Sequence, residues 1–171
     1  MIIRPAENRD LDQILAIHND AILNSLAIWT EETVDRADRE AWLAQHEADG
    51  HPVIVADIDG EIAGYASYGP FRAKSGYRFT VENSVYVAGS HHGQGIGQTL
   101  MRELIALARA NGLHVMVAVI TADNAGSIRF HEQLGFETAG VVREAGTKWG
   151  KWLDFTLMQL RLADSRAPLP E

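Results

Sequence analysis

The chain has 171 residues, and 15 Lys and Arg side chains against 23 Asp and Glu give it a formal net charge of −8. This acidic balance argues against a general nucleic-acid binder and against a protein that docks on anionic membranes. The sequence contains no cysteine, which excludes disulfides, thiolate metal sites and a cysteine nucleophile. Hydrophobic residues make up 46% and charged residues 22%, as in an ordinary globular enzyme.

Chain length and the character of the two ends predict one soluble domain. A domain commonly has roughly 100–200 residues, so we expect a single domain over residues 1–163 and a loose tail at 164–171. The first seven residues already contain two charged residues and a proline, so they lack the apolar core of a signal peptide. The longest apolar run, residues 115–120, is much shorter than the about 20 residues of a membrane span. We therefore expect a cytoplasmic protein.

The first half of the chain predicts a strand, two helices and a three-stranded antiparallel meander. Asn8 or Asp10 can cap the first helix, whose apolar residues recur at helical spacing. The dipeptide Asp59-Gly60 between two strand-like runs is typical of a tight hairpin. The expected elements are a strand at 1–4, helices at 11–22 and 35–47 on either side of a loop that carries Trp29, and strands at 53–58, 61–68 and 78–87.

The second half predicts alternating helices and strands after a glycine-rich loop at 89–97. Glycine suits the left-handed position that ends a helix, and Gly112 and Gly135 follow two helical patterns. A continuous apolar run predicts a strand that is buried on both faces. The expected elements are a helix at 98–110, that strand at 114–120, a helix at 124–134 and late strands at 141–143 and 152–162. This order predicts an α/β fold with a mixed sheet and helices on both faces.

The segment His92-Gly93-Gln94-Gly95-Ile96-Gly97 lies between a strand and the clearest helix of the chain. Its glycines let backbone N–H groups approach a ligand, and the helix adds free N–H groups and the positive end of its dipole. These features predict a phosphate or pyrophosphate site, although a tight strand-to-helix turn would use the same residues. A triphosphatase loop would need Gly-Lys-Ser/Thr where Gly97 is followed by Gln98-Thr99. A dinucleotide fingerprint fails too, because its third glycine is missing.

Two segments resemble a known family. Residues 84–97 resemble the central motif of the GNAT superfamily of N-acetyltransferases, Gln/Arg-x-x-Gly-x-Gly/Ala after a hydrophobic strand, with His92 at the first position. Residues 124–136 resemble the second signature, Asn-x-x-Ser/Ala-x-x-x-Tyr-x-x-x-Gly-Phe, with His131 at the tyrosine position. Residues 80–87 and 146–152 narrow the resemblance to the phosphinothricin and methionine sulfone/sulfoximine acetyltransferases.

The resemblance implies a GNAT-type, mostly antiparallel sheet and an enzyme that uses acetyl-CoA. It implies that the glycine loop holds the pyrophosphate through backbone amides, while the preceding strand meets the pantetheine arm and stabilises the oxyanion. Asn124 would bind the pantetheine arm, cap its helix, or do both. No metal is expected, because His91 and His92 have no third ligand at metal-like spacing. The cofactor-binding residues so implied are Val85, Tyr86, Val87, Gly93, Gln94, Gly95, Ile96, Gly97, Gln98 and Asn124.

Glu82 and His131 are the candidate catalytic residues. An ammonium group must lose a proton before it attacks, and Glu82 at the strand edge is the candidate general base. Neighbouring valines predict partial burial, which would raise the pKa of Glu82. His131 could protonate the departing thiolate as the family's tyrosine does, could serve as a base oriented by Glu82, or could be structural. Because no cysteine can carry the acetyl group, direct transfer is the simplest mechanism.

The resemblance implies a small amino acid or analogue as substrate, such as methionine sulfone, methionine sulfoximine or phosphinothricin, and hence a detoxifying role. Arg72 could bind the substrate carboxylate bidentately, and Trp29 could wall the side-chain pocket or anchor the core. In related enzymes the loop of Lys148 and Trp149 approaches the site near a dimer interface, so we expect a homodimer. The expected substrate-binding residues are Phe71, Arg72, Lys74, Glu82, Asn83 and Ser84. Two alternatives are another amine, such as a polyamine or a protein N-terminus, and a non-catalytic acyl-CoA sensor.

Overall fold

A computed structural model of the chain describes residues 1–163, and the tail predicted at 164–171 lies outside the described residues. Its strands are β1 (Ile2–Pro5), β2 (Val53–Ile58), β3 (Glu61–Pro70), β4 (Thr80–Val87), β5 (Val115–Thr121), β6 (Glu137–Lys148) and β7 (Lys151–Arg161). Its α-helices are α1 (Leu11–Asn24), α2 (Arg36–Ala48), α3 (Ile96–Ala110) and α4 (Ala125–Gln133). This order is the predicted one. None of the helices within residues 1–163 has the length and apolar character to cross a bilayer.

The strands form one sheet in the order β1-β2-β3-β4-β5-β7-β6. All neighbours are antiparallel except β4 and β5, so the predicted mixed, mostly antiparallel sheet is confirmed. Leu100 and Leu104 of α3 belong to the core on one face, together with Val81. Ile14 of α1 and Leu43 of α2 belong to the core on the other face. The predicted helices on both faces are therefore present.

A gap in the middle of the sheet separates β4 from β5. The two strands pair only where Thr80–Glu82 meets Val115–Val117, and both continue for several residues beyond that point. Side chains alternate along β4, so Val85 and Val87 face the core under α3, whereas Tyr86 faces the core under α1 and α2. The divergence opens a passage between the two faces of the sheet. It also leaves Val119 exposed, contrary to the prediction that this strand is buried throughout.

Several predicted boundaries differ from the structure, most of them by one or two residues, and the following two differences have identifiable physical reasons. β6 covers Glu137–Lys148 instead of the predicted 141–143. It is the exposed edge strand, and irregularities between Thr138 and Gly140 and between Val142 and Gly146 interrupt its pairing, so no alternating pattern marks it. α3 begins at Ile96, two residues before the predicted start, because Gly95 adopts the left-handed conformation as its N-cap.

An ion pair between the partly buried Arg4 and the buried Asp10 joins β1 to the start of α1. Arg4 donates to both carboxylate oxygens of Asp10, at 2.7 and 2.8 Å, and to Asp57 at 2.9 Å. Burial alone would raise the pKa of Asp10, but hydrogen bonds from Arg4 and the Glu7 amide outweigh it and lower that pKa. Asp10→Asn removes two charge-assisted hydrogen bonds and leaves Arg4 with Asp57 as its carboxylate partner. We therefore expect it to lower the free energy of unfolding at neutral pH by about 2 kcal/mol, measured by urea denaturation.

The pH dependence of this effect has a defined sign. The pKa of Asp10 is lower in the folded chain than the about 3.9 of an unfolded aspartate. Its stabilisation is therefore present above the unfolded pKa and is lost as the pH falls through the folded pKa. Asp12→Asn, at an exposed residue paired with Arg36, should change stability by less than about 1 kcal/mol. Equal losses in the two variants would contradict the assignment.

Candidate active site

A cavity of about 780 Å³ lies between the end of β4, the glycine loop and the start of α4. This volume is in the range of small-molecule sites. Tyr86 lies on the opposite face of the sheet, its ring 5.2 Å from that of Tyr65, and the Gln94 side chain donates to the Ser90 carbonyl. Those two predicted residues do not line the cavity. The predicted cofactor residues that do line it are Val85, Val87, Gly93, Gly95, Ile96, Gly97, Gln98 and Asn124.

The glycine loop has the backbone geometry of an open cradle. Gly93 and Gly95 both have φ of +77°, which favours glycine. A Cβ built on either residue would meet no protein atom within 4 Å, so the space in front of the loop is free. α3 starts directly after Gly95 and brings unsatisfied N–H groups and the positive end of its dipole to the cavity. The loop therefore fits an anionic, nucleotide-like group.

Several residues that sequence reasoning missed also line this cavity. His92 lies at the position where the family motif has Gln or Arg, and its Nε2 is 2.9 Å from the Val87 carbonyl oxygen, which ties the loop to β4. Outside the predicted phosphate-binding segment, which includes His92, the missed residues are His91, Gly126, Ser127, Phe130 and Gln133. Gly126, Phe130 and Gln133 lie four and three residues apart on α4 and so share one helix face. In the sequence this spacing cannot be told from that of residues that face the core. Within residues 1–163, no three His, Asp or Glu side chains form a group able to hold a metal.

A second cavity of about 130 Å³ occupies the gap between β4 and β5. It brings together Glu82, Asn83 and Ser84 of β4 with His131 of α4 and Asn124. Burial raises the pKa of Glu82, and the positive charge of Arg72 acts in the opposite direction. A carboxylate with a raised pKa in a small cavity can accept a proton from an ammonium group.

His131 is 3% exposed, and both of its ring nitrogens face acceptors. Nδ1 lies 2.8 Å from the Ser127 carbonyl oxygen, and Nε2 lies 3.2 Å from Asn83 Oδ1. The amide nitrogen of Asn83 donates to the Val117 carbonyl at 2.8 Å, which leaves Oδ1 on the histidine side. Only a ring with protons on both nitrogens satisfies both contacts. Burial lowers the pKa of His131, which favours the neutral ring, with a proton on one nitrogen only.

Glu82 and His131 reach the cavity from opposite sides. Side-chain alternation along β4 directs Glu82 toward α1, whereas His131 lies on α4 beside the α3 face. The ring nitrogens of His131 contact Ser127 and Asn83. The structure therefore offers no contact by which Glu82 would orient His131.

Asn124 lines both cavities and caps α4. Its Oδ1 accepts from the Ser127 amide at 3.0 Å, as an N-cap does. Because the cap uses only Oδ1, the amide nitrogen is the group that can meet a ligand. The two predicted roles of this residue are therefore compatible.

The remaining predicted substrate residues, Phe71, Arg72 and Lys74, do not line the small cavity. Arg72 and Lys74 line a separate surface pocket of about 350 Å³. The Phe71 ring packs edge-on against Tyr77 at 6.0 Å, with the Arg72 guanidinium 5.0 Å from its centroid. Arg72 is nevertheless close enough to lower the pKa of Glu82. Trp29 does not line the cavity either, whereas its neighbour Ala27 does.

Comparisons with known proteins agree with this architecture. The model of the "Acetyltransferase (GNAT) family" matches residues 14–136. A "L-methionine sulfoximine/L-methionine sulfone acetyltransferase" of Pseudomonas aeruginosa is 51% identical over 166 residues, covering 96% of each chain. A phosphinothricin N-acetyltransferase of Alcaligenes faecalis is 36% identical, covering 99% of this chain and 86% of that one. A Salmonella typhimurium acetyltransferase solved with acetyl-CoA superposes with a TM-score of 0.95 at 46% identity, covering 98% and 97% of the two chains. The predicted family is confirmed, and the chain belongs to the GNAT family of acetyltransferases.

Proposed function

We propose that the protein transfers an acetyl group from acetyl-CoA directly to the α-amino group of a small amino acid or analogue, with Glu82 as general base. The observation that carries this proposal is the divergence of β4 from β5 beyond Glu82. The resulting gap holds a carboxylate, a histidine and an asparagine, and it adjoins the larger cavity through Val85, Asn124 and Ser127. A thioester seated in the larger cavity would therefore meet an amine that enters from the other face.

Acetyl-CoA supplies an activated acyl group, and the residues of this chain bind it and move the protons. The amides around Gly93 and Gly95 bind phosphate oxygens at the N-terminus of α3. Glu82 accepts a proton from the substrate ammonium group, directly or through one water. We assign to His131 the return of a proton to the departing thiolate, because its ring lines the small cavity where the thioester would react.

The substrate class rests on the relatives and on the charge near the site. The Pseudomonas protein is named for methionine sulfoximine and methionine sulfone, and the Alcaligenes protein for phosphinothricin. All three compounds carry an α-amino group beside a carboxylate. We assign that carboxylate to Arg72, the cation that acts on Glu82, with Phe71 and Lys74 beside it.

Arg72→Ala should raise the KM for methionine sulfone about tenfold and leave the KM for acetyl-CoA unchanged. A hydrogen bond between charged groups contributes about 1.5–3 kcal/mol, and about 1.4 kcal/mol corresponds to tenfold. Steady-state kinetics with each substrate varied in turn measure both constants. Arg109→Ala, at the exposed end of α3, is the matched control. A rise in the KM for acetyl-CoA alone would contradict this role for Arg72.

Two other functions are compatible with the same fold, and a thiol-release assay with a panel of acceptors distinguishes them from the proposed one. An acetyltransferase for polyamines or protein N-termini would release CoA thiol with those amines and not with amino acids. A non-catalytic acyl-CoA sensor would bind CoA and release no thiol with any acceptor. The thiol-release assay with methionine sulfone, methionine sulfoximine, phosphinothricin, a polyamine and a short peptide distinguishes the three.

We also propose a cytoplasmic homodimer with a detoxifying role. The edge strand β6 and its neighbour β7 expose Val141, Val142 and Trp152, the last with 68% of its surface accessible. An exposed apolar edge strand favours pairing with a second copy of the chain. Light scattering of the purified protein should give twice the monomer mass, and a monomer at micromolar concentration would contradict the dimer.

A further inference from the structure

The segment of residues 25–29 between α1 and α2, here called the wall segment, forms one side of the small cavity. It contributes Ala27, which lies at the exposed mouth of the cavity. Because the segment follows α1, it approaches from the face toward which Glu82 points. Under the proposed function, this is the side from which the amine acceptor enters.

A buried lysine holds the wall segment in place. Lys148 at the end of β6 is 1% exposed, and its ammonium donates to the carbonyls of Ser25 and Ile28 at 2.7 Å each and to that of Ile22 in the last turn of α1. Three N–H donors thus meet three backbone acceptors, which satisfies the ammonium fully. Burial lowers the pKa of Lys148, and its partners are carbonyls at the negative end of a helix and in the following loop. Such an arrangement is costly to leave incomplete, so it fixes the path of the segment.

Trp29 fastens the same segment to the sheet. Its indole N–H donates to the Leu26 carbonyl at 3.0 Å and to Thr121 Oγ1 at 2.9 Å, and the Thr121 hydroxyl donates to that same carbonyl. Thr121 itself lines the cavity. The Trp29 ring lies so close to Gly146 of β6 that a Cβ there would come within 2.5 Å of it. The wall segment is therefore held between β5 and the β6–β7 hairpin.

We infer that Lys148 and Gly146 determine which acceptors the enzyme accepts, because they fix the wall segment and with it the width of the cavity mouth at Ala27. This inference rests on the proposed function. It assigns a role in specificity to residues that touch neither the reacting atoms nor the glycine loop. Their effect should therefore appear in the choice of amino acid and not in the affinity for acetyl-CoA.

Lys148→Met keeps the length of the side chain and removes its three donors. We expect it to lower the ratio of kcat/KM for methionine sulfone to that for tryptophan by about tenfold or more, as expected when pocket contacts change. The dissociation constant for acetyl-CoA should stay within about twofold of the wild-type value. Lys151→Met, at the exposed start of β7, is the matched control and should leave the ratio unchanged.

Gly146→Ala tests the same anchoring without removing a buried polar group, because its Cβ would displace the Trp29 ring, and it decides the matter if Lys148→Met fails to fold. Ala27→Val tests the wall itself. It narrows the mouth and should shift preference toward alanine and away from methionine sulfone by about tenfold. Unchanged ratios in every folded variant would overturn the inference. If the wild-type enzyme acetylates no amino acid, the proposed function itself is wrong. That result is obtained before any variant is made, so it is distinguishable from failure of this inference.

Discussion

Glu82→Gln is expected to lower kcat for acetyl transfer to methionine sulfone by about 10²–10⁴-fold and to leave the affinity for acetyl-CoA unchanged. The amide has the size and shape of the carboxylate but cannot accept a proton from an ammonium group. Glu82 lines the small cavity and is not among the residues that line the larger one. Steady-state kinetics and calorimetric titration with CoA measure the two quantities separately.

The pH profile gives this prediction a second, independent readout. Transfer needs the ionised carboxylate, so kcat/KM should fall as the pH drops through the pKa of Glu82 in the folded protein. Burial raises that pKa above the about 4.3 of an exposed glutamate, so the fall should occur at a higher pH. The fall should be absent in Glu82→Gln. Arg72→Ala should move it to still higher pH, because the opposing positive charge is gone.

A stability measurement shows whether Glu82→Gln loses activity because the base is gone or because the protein is unfolded. The pKa of Glu82 is raised in the folded protein. Its favourable contribution to the free energy of unfolding is therefore present below the unfolded pKa and is lost as the pH rises through the folded pKa. At neutral pH the glutamine variant should therefore be at least as stable as the wild type in urea denaturation. Glu103→Gln, at an exposed residue of α3, controls for the substitution itself. Full activity of Glu82→Gln would remove Glu82 as the base.

Gly95→Val should weaken acetyl-CoA binding by at least about tenfold, which corresponds to about 1.4 kcal/mol. The side chain would project into the open space in front of the loop, where phosphate oxygens would bind. It would also strain the N-cap of α3, since φ is +77° there. A left-handed conformation costs an ordinary residue roughly 1–2 kcal/mol.

Gly50→Val is the matched control for Gly95→Val. Gly50 also has a positive φ, +69°, and open space around a built Cβ, but it follows α2 and lines neither cavity. Both variants should lose similar stability in thermal denaturation, and only Gly95→Val should lose affinity for CoA in calorimetry. Equal affinities in the two variants would contradict the cradle.

The order of elements and the glycine cradle were predictable because both are local. Hairpin and cap signals such as Asp59-Gly60 and Gly112, together with apolar periodicity, indicate where strands and helices lie. Both residues of the Asp59-Gly60 turn indeed have positive φ, at 53° and 94°. The long edge strand β6 was not predictable at its full length, because an exposed strand with pairing irregularities carries no alternating pattern.

The contacts that define the small cavity were beyond sequence reasoning because they are long-range. The gap exists because β4 and β5 pair at only three positions, which no local pattern in either strand reveals. The network of His131 with Asn83 and Val117 joins α4, β4 and β5. The sequence placed Lys148 only on a loop that approaches the site near a dimer interface in related enzymes. Its ammonium is bound to carbonyls more than a hundred residues earlier in the same chain.

The central claim is that one acetyl group passes directly from acetyl-CoA to the amine of an amino acid at the gap between β4 and β5. Initial rates of thiol release, measured while acetyl-CoA and methionine sulfone are both varied, test it most directly when the product is weighed by mass spectrometry. Direct transfer predicts intersecting double-reciprocal lines, one thiol released per N-acetylated product and no acetylated protein. Parallel lines with an acetylated chain would contradict direct transfer, and tight CoA binding without thiol release would contradict catalysis altogether.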